Sequence, residues 1–147
     1  VEKKMSELQV DQAAPEKSAA NSDSVQSVFE FWRVRMGHPR ARLDQKRRQK
    51  IRQRLLDGYS AQDLIDAIEG CALSPFHMGT NDRHTVFNDI ELICRDAKHV
   101  DQFLRINDEQ KARRAQAAHR ERLQREYEER KRAELQQAGR YHLKVAK

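Results

Sequence analysis

Apolar residues recur at helical spacing through the middle of the chain and thin out toward both ends. Val25, Val28, Phe29, Trp32 and Met36 stand at i, i+3, i+4, i+7 and i+11, a stripe that predicts a core-facing helix. Asp23 or Ser24 can cap its start, and Gly37 followed by Pro39 predicts its end. A second helix is expected from Asp44, its N-cap candidate, to about Asp57, with Gly58 as the stop. Ile51 and Leu55 turn inward there, with Leu56 beside them. A third helix starts at Ser60, because Ser60 and Asp63 have capping-box spacing. Its inner side is Leu64, Ile65, Ile68 and Cys71 or Ala72. The tight Asp57-Gly58-Tyr59 connector predicts that the second and third helices form an αα-hairpin.

Pro, Gly, Asn and Asp make residues 73–84 a loop. A fourth helix is expected from Thr85 to about Leu104, with a break near Arg95-Asp96. Its apolar set includes Phe87, Ile90, Ile93, Cys94, Val100, Phe103 and Leu104. Asn107 or Asp108 then caps a last helix, roughly Glu109 to Ala138, whose composition has high helix propensity but few apolar positions. Pairs such as Glu121–Arg125 and Glu126–Arg130 have the i,i+4 spacing that supports a solvated helix. Residues 1–23 are polar and aperiodic and contain Pro15, so a disordered leader is expected there. The predicted organisation is all-α: leader 1–23, a compact bundle of about four helices over 24–106, and a charged helical tail over 107–147.

Charge sharpens this picture. With 37% hydrophobic and 35% charged residues, a core cannot run the whole length. The net charge of +6 is unevenly spread: residues 33–54 hold ten basic residues and one acid, and residues 55–107 hold four basic residues and nine acids. Phosphates need several long cationic donors on one surface, because affinity comes from neutralising several of them together. Arg40, Arg42, Lys46, Arg47, Arg48, Lys50, Arg52 and Arg54 are therefore the candidate nucleic-acid contacts, made to phosphates with little reading of sequence. Lys46, Lys50 and Arg54 lie four apart on one helical face. The acids Asp63, Asp66 and Glu69 of the third helix are candidates for meeting a protein partner. They also argue against that helix entering a DNA groove as a helix-turn-helix recognition helix would.

Other chemistry is weaker in the sequence. Cys71, His77, His84 and Cys94 are metal-ligand types, but no paired short spacing joins them, so no metal and no cofactor is expected. Paired acids for a magnesium nuclease are not evident. Phe76, in the loop, is a candidate for stacking on an unpaired base, whereas Trp32 and Tyr59 read as packing residues. Two cysteines make no disulfide framework, and no apolar run is long enough for a bilayer. A cytoplasmic protein without a membrane partner is the expectation. The tail helix reads as a charged arm, or as an oligomerisation element with a weak seam.

From Arg48 to Leu104 the chain carries a basic helix ending in "RLLDGYS", then "DLIDAIEG", a loop with "FHMG", and a closing "FNDIELICRD" segment. In this order the segments resemble the C-terminal domain of phage and prophage replication proteins. These include replisome organisers, with a distant likeness to DnaD-type primosome proteins. Val28 to Arg35 corresponds to the first helix of that domain. The resemblance implies a helical module of replication initiation that binds DNA or contacts the replicative helicase or its loader. No catalytic residues carry over. A noncatalytic accessory protein of DNA replication is thus expected. The alternatives are a helix-turn-helix-like transcriptional regulator and a protein-only adaptor.

Overall fold

A computed structural model describes residues 21–145, whose regular secondary structure is entirely α-helical. Helix α1 occupies residues 21–35, α2 Gln45–Leu56, α3 Ala61–Leu73, α4 the single turn Ile90–Ile93, and α5 Ala97–Val145. Among the described residues there is no strand, only one isolated antiparallel bridge between Met78 and Val86. Chain contacts separate a unit ending at Asp108 from a second beginning at Glu109. The expected disordered leader lies outside the described residues except for its last three positions, which are helical. Asp23 and Ser24, expected to cap α1, are inside it.

The α1 stripe is buried as its spacing requires: Val25, Val28, Phe29, Trp32 and Met36 all belong to the core. They meet Ile51 of α2, Leu64, Ala67, Ile68 and Cys71 of α3, Ile90 and Ile93 of α4, and Val100 and Phe103 of α5. Gly37 and Gly58 end α1 and α2 in the left-handed conformation, with φ of 71° and 114°. In each case the next residue donates back across the turn, His38 to the Arg33 carbonyl and Tyr59 to the Arg54 carbonyl, at 2.9 and 3.3 Å. The helix carbonyls are thereby satisfied and the chain reverses within a few residues.

Both helix starts in the hairpin are capped by side chains. Asp44 accepts from the Arg47 N–H at 2.8 Å. Ser60 and Asp63 form a reciprocal capping box, at 3.0 Å from the Asp63 N–H to Ser60 Oγ and 2.9 Å from the Ser60 N–H to Asp63 Oδ2. Ser60→Ala removes one half of that box, and a loss of about 1 kcal/mol in urea-denaturation stability is expected. An unchanged midpoint would mean that water replaces the cap.

The expected fourth helix is corrected in two places. Residues 85–88 are not helical: the Val86 bridge to Met78 and the Phe87 N–H donating to the His77 carbonyl at 2.7 Å hold them extended. Asp89 then caps α4. The break near Arg95-Asp96 is present, and Asp96 starts α5 by accepting from the His99 N–H at 2.8 Å. No second break occurs at Asn107-Asp108. Asn107 is buried within α5, and the first glycine in that helix is Gly139, so nothing in the backbone favours stopping there.

Every residue from 111 to 145 is exposed. Side-chain contacts in this second unit include Gln124 to Glu128 at 2.8 Å and the Lys131 ammonium 5.9 Å from the Tyr127 ring centroid. The expected Glu121–Arg125 and Glu126–Arg130 pairs are not closed to salt-bridge distance among the described residues. Exposed pairs gain little over the entropy of holding two long side chains together.

Candidate nucleic-acid interface

The basic run is divided by the fold into cations held within the protein and cations left to solvent. Arg33 is bound to Glu30 at 2.9 Å and to the Pro39 carbonyl at 3.0 Å. Arg35 reaches α3 and pairs with Glu69 at 2.8 Å. The Arg47 guanidinium lies 5.3 Å from the Trp32 ring centroid and donates to the Arg42 carbonyl at 2.7 Å. Arg54 is 12% exposed, with Nε 3.1 Å from Asp57 Oδ2, although its N–H does not point at that oxygen. Of the eight predicted contacts, Arg47 and Arg54 thus hold the fold. Arg40, Arg42, Lys46, Arg48 and Arg52 are exposed and Lys50 is half-buried. Among the described residues none of these six forms an ion pair.

Trp32 organises the loop before α2. His38 stacks on its ring at 4.8 Å, Arg47 covers it, and its Nε1 donates to the Asn88 carbonyl at 2.7 Å. The Asn88 side-chain oxygen lies 3.1 Å from His38 Nε2. The segment carrying Arg40 and Arg42 is therefore pinned at His38 and at the Arg42 carbonyl, so these two arginines start from a fixed backbone. On α2, Arg48 and Arg52 border a recess of about 170 Å³ beside Asn21, Ser22 and Val25 of α1. No acidic residue occurs within α2.

The acids of α3 are partly engaged. Asp63 belongs to the capping box, Glu69 holds Arg35, and Asp66 accepts from Gln62 at 3.0 Å. Phe76 is 55% exposed in the loop after α3 and stacks on Phe87 with centroids 6.0 Å apart. That loop is organised by Asn81, whose amide donates to the carbonyls of Phe76 and Thr85 at 2.8 and 2.6 Å. Its oxygen accepts from the N–H groups of Arg83 and Thr85, both at 3.1 Å. No hydrogen bond or ring contact among the described residues joins Phe76 to the α2 cations. Tyr59 is a packing residue: its hydroxyl donates to Asp101 of α5 at 2.5 Å. That bond, then burial and the Asp101 and Asp57 charges, push its pKa up to about 12 against a small opposing effect of Arg54.

Cys71 and Cys94 are buried, and burial pushes both thiols up to about 12. They remain protonated at neutral pH, where a thiol neither binds metal nor attacks readily. Among the described residues no three His, Cys, Asp or Glu side chains are grouped to hold a metal ion. His77 packs edge-on against Phe103 at 4.8 Å, with Nδ1 2.8 Å from Ser74 Oγ. Burial, and secondarily the neighbouring His99, lower its pKa below the ordinary 6.5. The fold thus favours neutral His77, and the unfolded chain takes up the proton first. Its stabilising contribution is full above pH 6.5 and declines as pH falls from there toward the lower folded value. Urea midpoints are expected to drop between neutral pH and pH near 5.5, and His77→Gln to reduce that drop. An equal drop in the variant would place the pH response elsewhere.

No helix among the described residues is long and apolar enough to cross a membrane. Comparison of the chain with protein-family models, with curated proteins and with solved structures finds no match. The structural roles of Arg47, Asn81 and Asn88, and of Gly70, where a Cβ would meet the Phe103 backbone of α5, are not apparent from spacing. Gly70 alone leaves a trace in the sequence, as an isolated glycine inside a helical pattern, which often marks close packing.

Proposed function

We propose that this chain is a noncatalytic DNA-binding accessory protein of phage-type replication initiation, holding DNA through α2 and the loop before it. The observation that carries the reading is the group of six cations, Arg40, Arg42, Lys46, Arg48, Lys50 and Arg52, that remain unpaired after the fold has engaged their neighbours. Such a surface attracts a polyanion by releasing its counterions, which needs no catalytic group and little sequence reading. The replication role rests on the resemblance of the 48–104 segment to replisome organisers. In that role Asp66 and the rest of the acidic side of α3 face the replicative helicase or its loader, and the second unit acts as a charged arm.

Titration of the purified chain against single-stranded and duplex DNA of unrelated sequences, across a salt series, tests the reading. About six phosphate contacts correspond to roughly a thousandfold loss of affinity between 50 and 200 mM salt. A steep, sequence-tolerant salt dependence is expected. No binding at low salt would overturn the proposal in favour of a protein-only adaptor. A footprint confined to one defined duplex site, with no affinity elsewhere, would favour a transcriptional regulator.

A further inference from the structure

The exposed surface of α2 is more ordered than a positive patch needs to be. Ile51 is its buried residue, and the opposite side is centred on Gln49. At about 100° per residue, Gln45 and Gln53 lie roughly 40° to either side of Gln49, forming an uncharged ridge. Lys46 and Lys50 fall about 60° and 100° to one side of that ridge, and Arg52 and Arg48 about 60° and 100° to the other. The cations are thus split evenly between two flanks. Among the described residues none of the three ridge amides makes a side-chain hydrogen bond. Leu56, 65% exposed, continues the ridge at the helix end.

From this arrangement we infer that α2 lies in the major groove of duplex DNA, with Lys46/Lys50 and Arg48/Arg52 on the two phosphate walls and Gln45 and Gln49 toward the base edges. The dimensions agree. A helix with its side chains is roughly 10–12 Å across, and the major groove is about 12 Å wide. A single strand has one phosphate backbone and calls for cations along one line, whereas a groove has a wall on either side. Glutamine presents a donor and an acceptor together and matches the N6 and N7 edge of adenine. Leu56 is suited to a thymine methyl group. This assignment makes α2, the first helix of the hairpin, the groove helix. The acidic α3 would be repelled there. The inference rests on the DNA-binding reading and adds to it the strand form, the groove and a mild preference for A·T pairs within predominantly phosphate-driven binding.

The test uses the full chain and duplexes with a short randomised core. Sequences enriched by binding are remade with 7-deazaadenine, which removes the N7 acceptor from the major groove and leaves the phosphates and base pairing unchanged. Enrichment of adenine-containing sites is expected, with roughly a fivefold or greater loss of affinity on 7-deaza substitution. The double variant Gln45→Ala, Gln49→Ala should bind the enriched site equally with and without 7-deazaadenine, and the slope of log affinity against log salt should still report about six phosphate contacts, because the cations are unaltered. Both positions are exposed and alanine favours helix, so folding is preserved, as far-ultraviolet circular dichroism will report. Steep salt-dependent binding that enriches no sequence, ignores 7-deazaadenine or prefers single strands overturns the groove assignment and leaves the DNA-binding reading standing. No binding to any DNA at low salt overturns both.

Discussion

Gly70→Ala is expected to destabilise the protein by about 3 kcal/mol or more, a large part of the stability of an ordinary domain. A Cβ built on Gly70 would lie 1.8 Å from the Phe103 carbonyl oxygen, 2.6 Å from its carbon and 3.1 Å from its Cα. These are backbone atoms of α5, fixed by the helix itself. They cannot retreat as a flexible side chain would, so α5 must move as a body. Such a movement would lift Phe103 and Val100, both fully buried, away from α3. The expected sign is informative because helix propensity acts the other way, favouring alanine over glycine by about 1 kcal/mol. Gly139→Ala supplies the control. Nothing lies within 4 Å of a Cβ there, so only the propensity gain remains. Urea denaturation of both variants checks the prediction. A Gly70→Ala protein as stable as wild type would mean that α3 and α5 do not approach so closely.

The triple reversal Lys46→Glu, Lys50→Glu, Arg52→Glu is expected to eliminate measurable DNA binding at physiological salt. It takes charge from both flanks of α2 and leaves Arg47 and Arg54, which hold the fold, untouched. Each phosphate contact contributes about 0.9 to the slope of log affinity against log salt, so any residual binding should show a slope lower by about three. Thermal stability should stay close to wild type, since none of the three side chains is fully buried or ion-paired. Net charge is controlled by a second triple reversal, Arg113→Glu, Arg114→Glu, Arg120→Glu, in the exposed second unit. That variant has the same overall charge change and should weaken binding far less. Equal losses in the two variants would show that total charge, not the α2 surface, governs binding. Retained binding in the α2 variant would remove the proposed interface altogether.

The hydrophobic period made the first three helices legible. The α1 stripe is buried at all five positions, and the Gly58 turn and the Ser60–Asp63 box lie where local chemistry places them. Period alone failed at residues 85–88, because Phe87, Ile90 and Ile93 are three apart whether or not Phe87 is helical. A bridge from Val86 to Met78, set by the loop, decides the matter. The cap signal at Asn107-Asp108 also misled. A residue able to cap a helix continues one when packing favours it, and Asn107 is buried inside α5. The candidate interface was legible as charge but not as geometry. Which arginines are engaged depends on partners distant in the chain: Trp32 lies fifteen positions from Arg47, and Glu69 lies thirty-four from Arg35. No spacing rule reaches across such separations.

Trp32 is the only tryptophan of the chain, and its placement has a spectroscopic consequence. The indole is 1% exposed, flanked by His38 and Arg47, and its N–H is fixed on the Asn88 carbonyl. Its fluorescence therefore originates from a single site at the root of the Arg40–Arg42 loop. Emission from such an enclosed ring is shifted toward the blue and moves toward the red when water reaches it. Because His38 and Arg47 are both attached to that loop, any ligand that displaces it changes the light emitted by the ring between them. The protein thus carries an intrinsic optical probe of its basic loop, and a binding titration can be followed without an added dye.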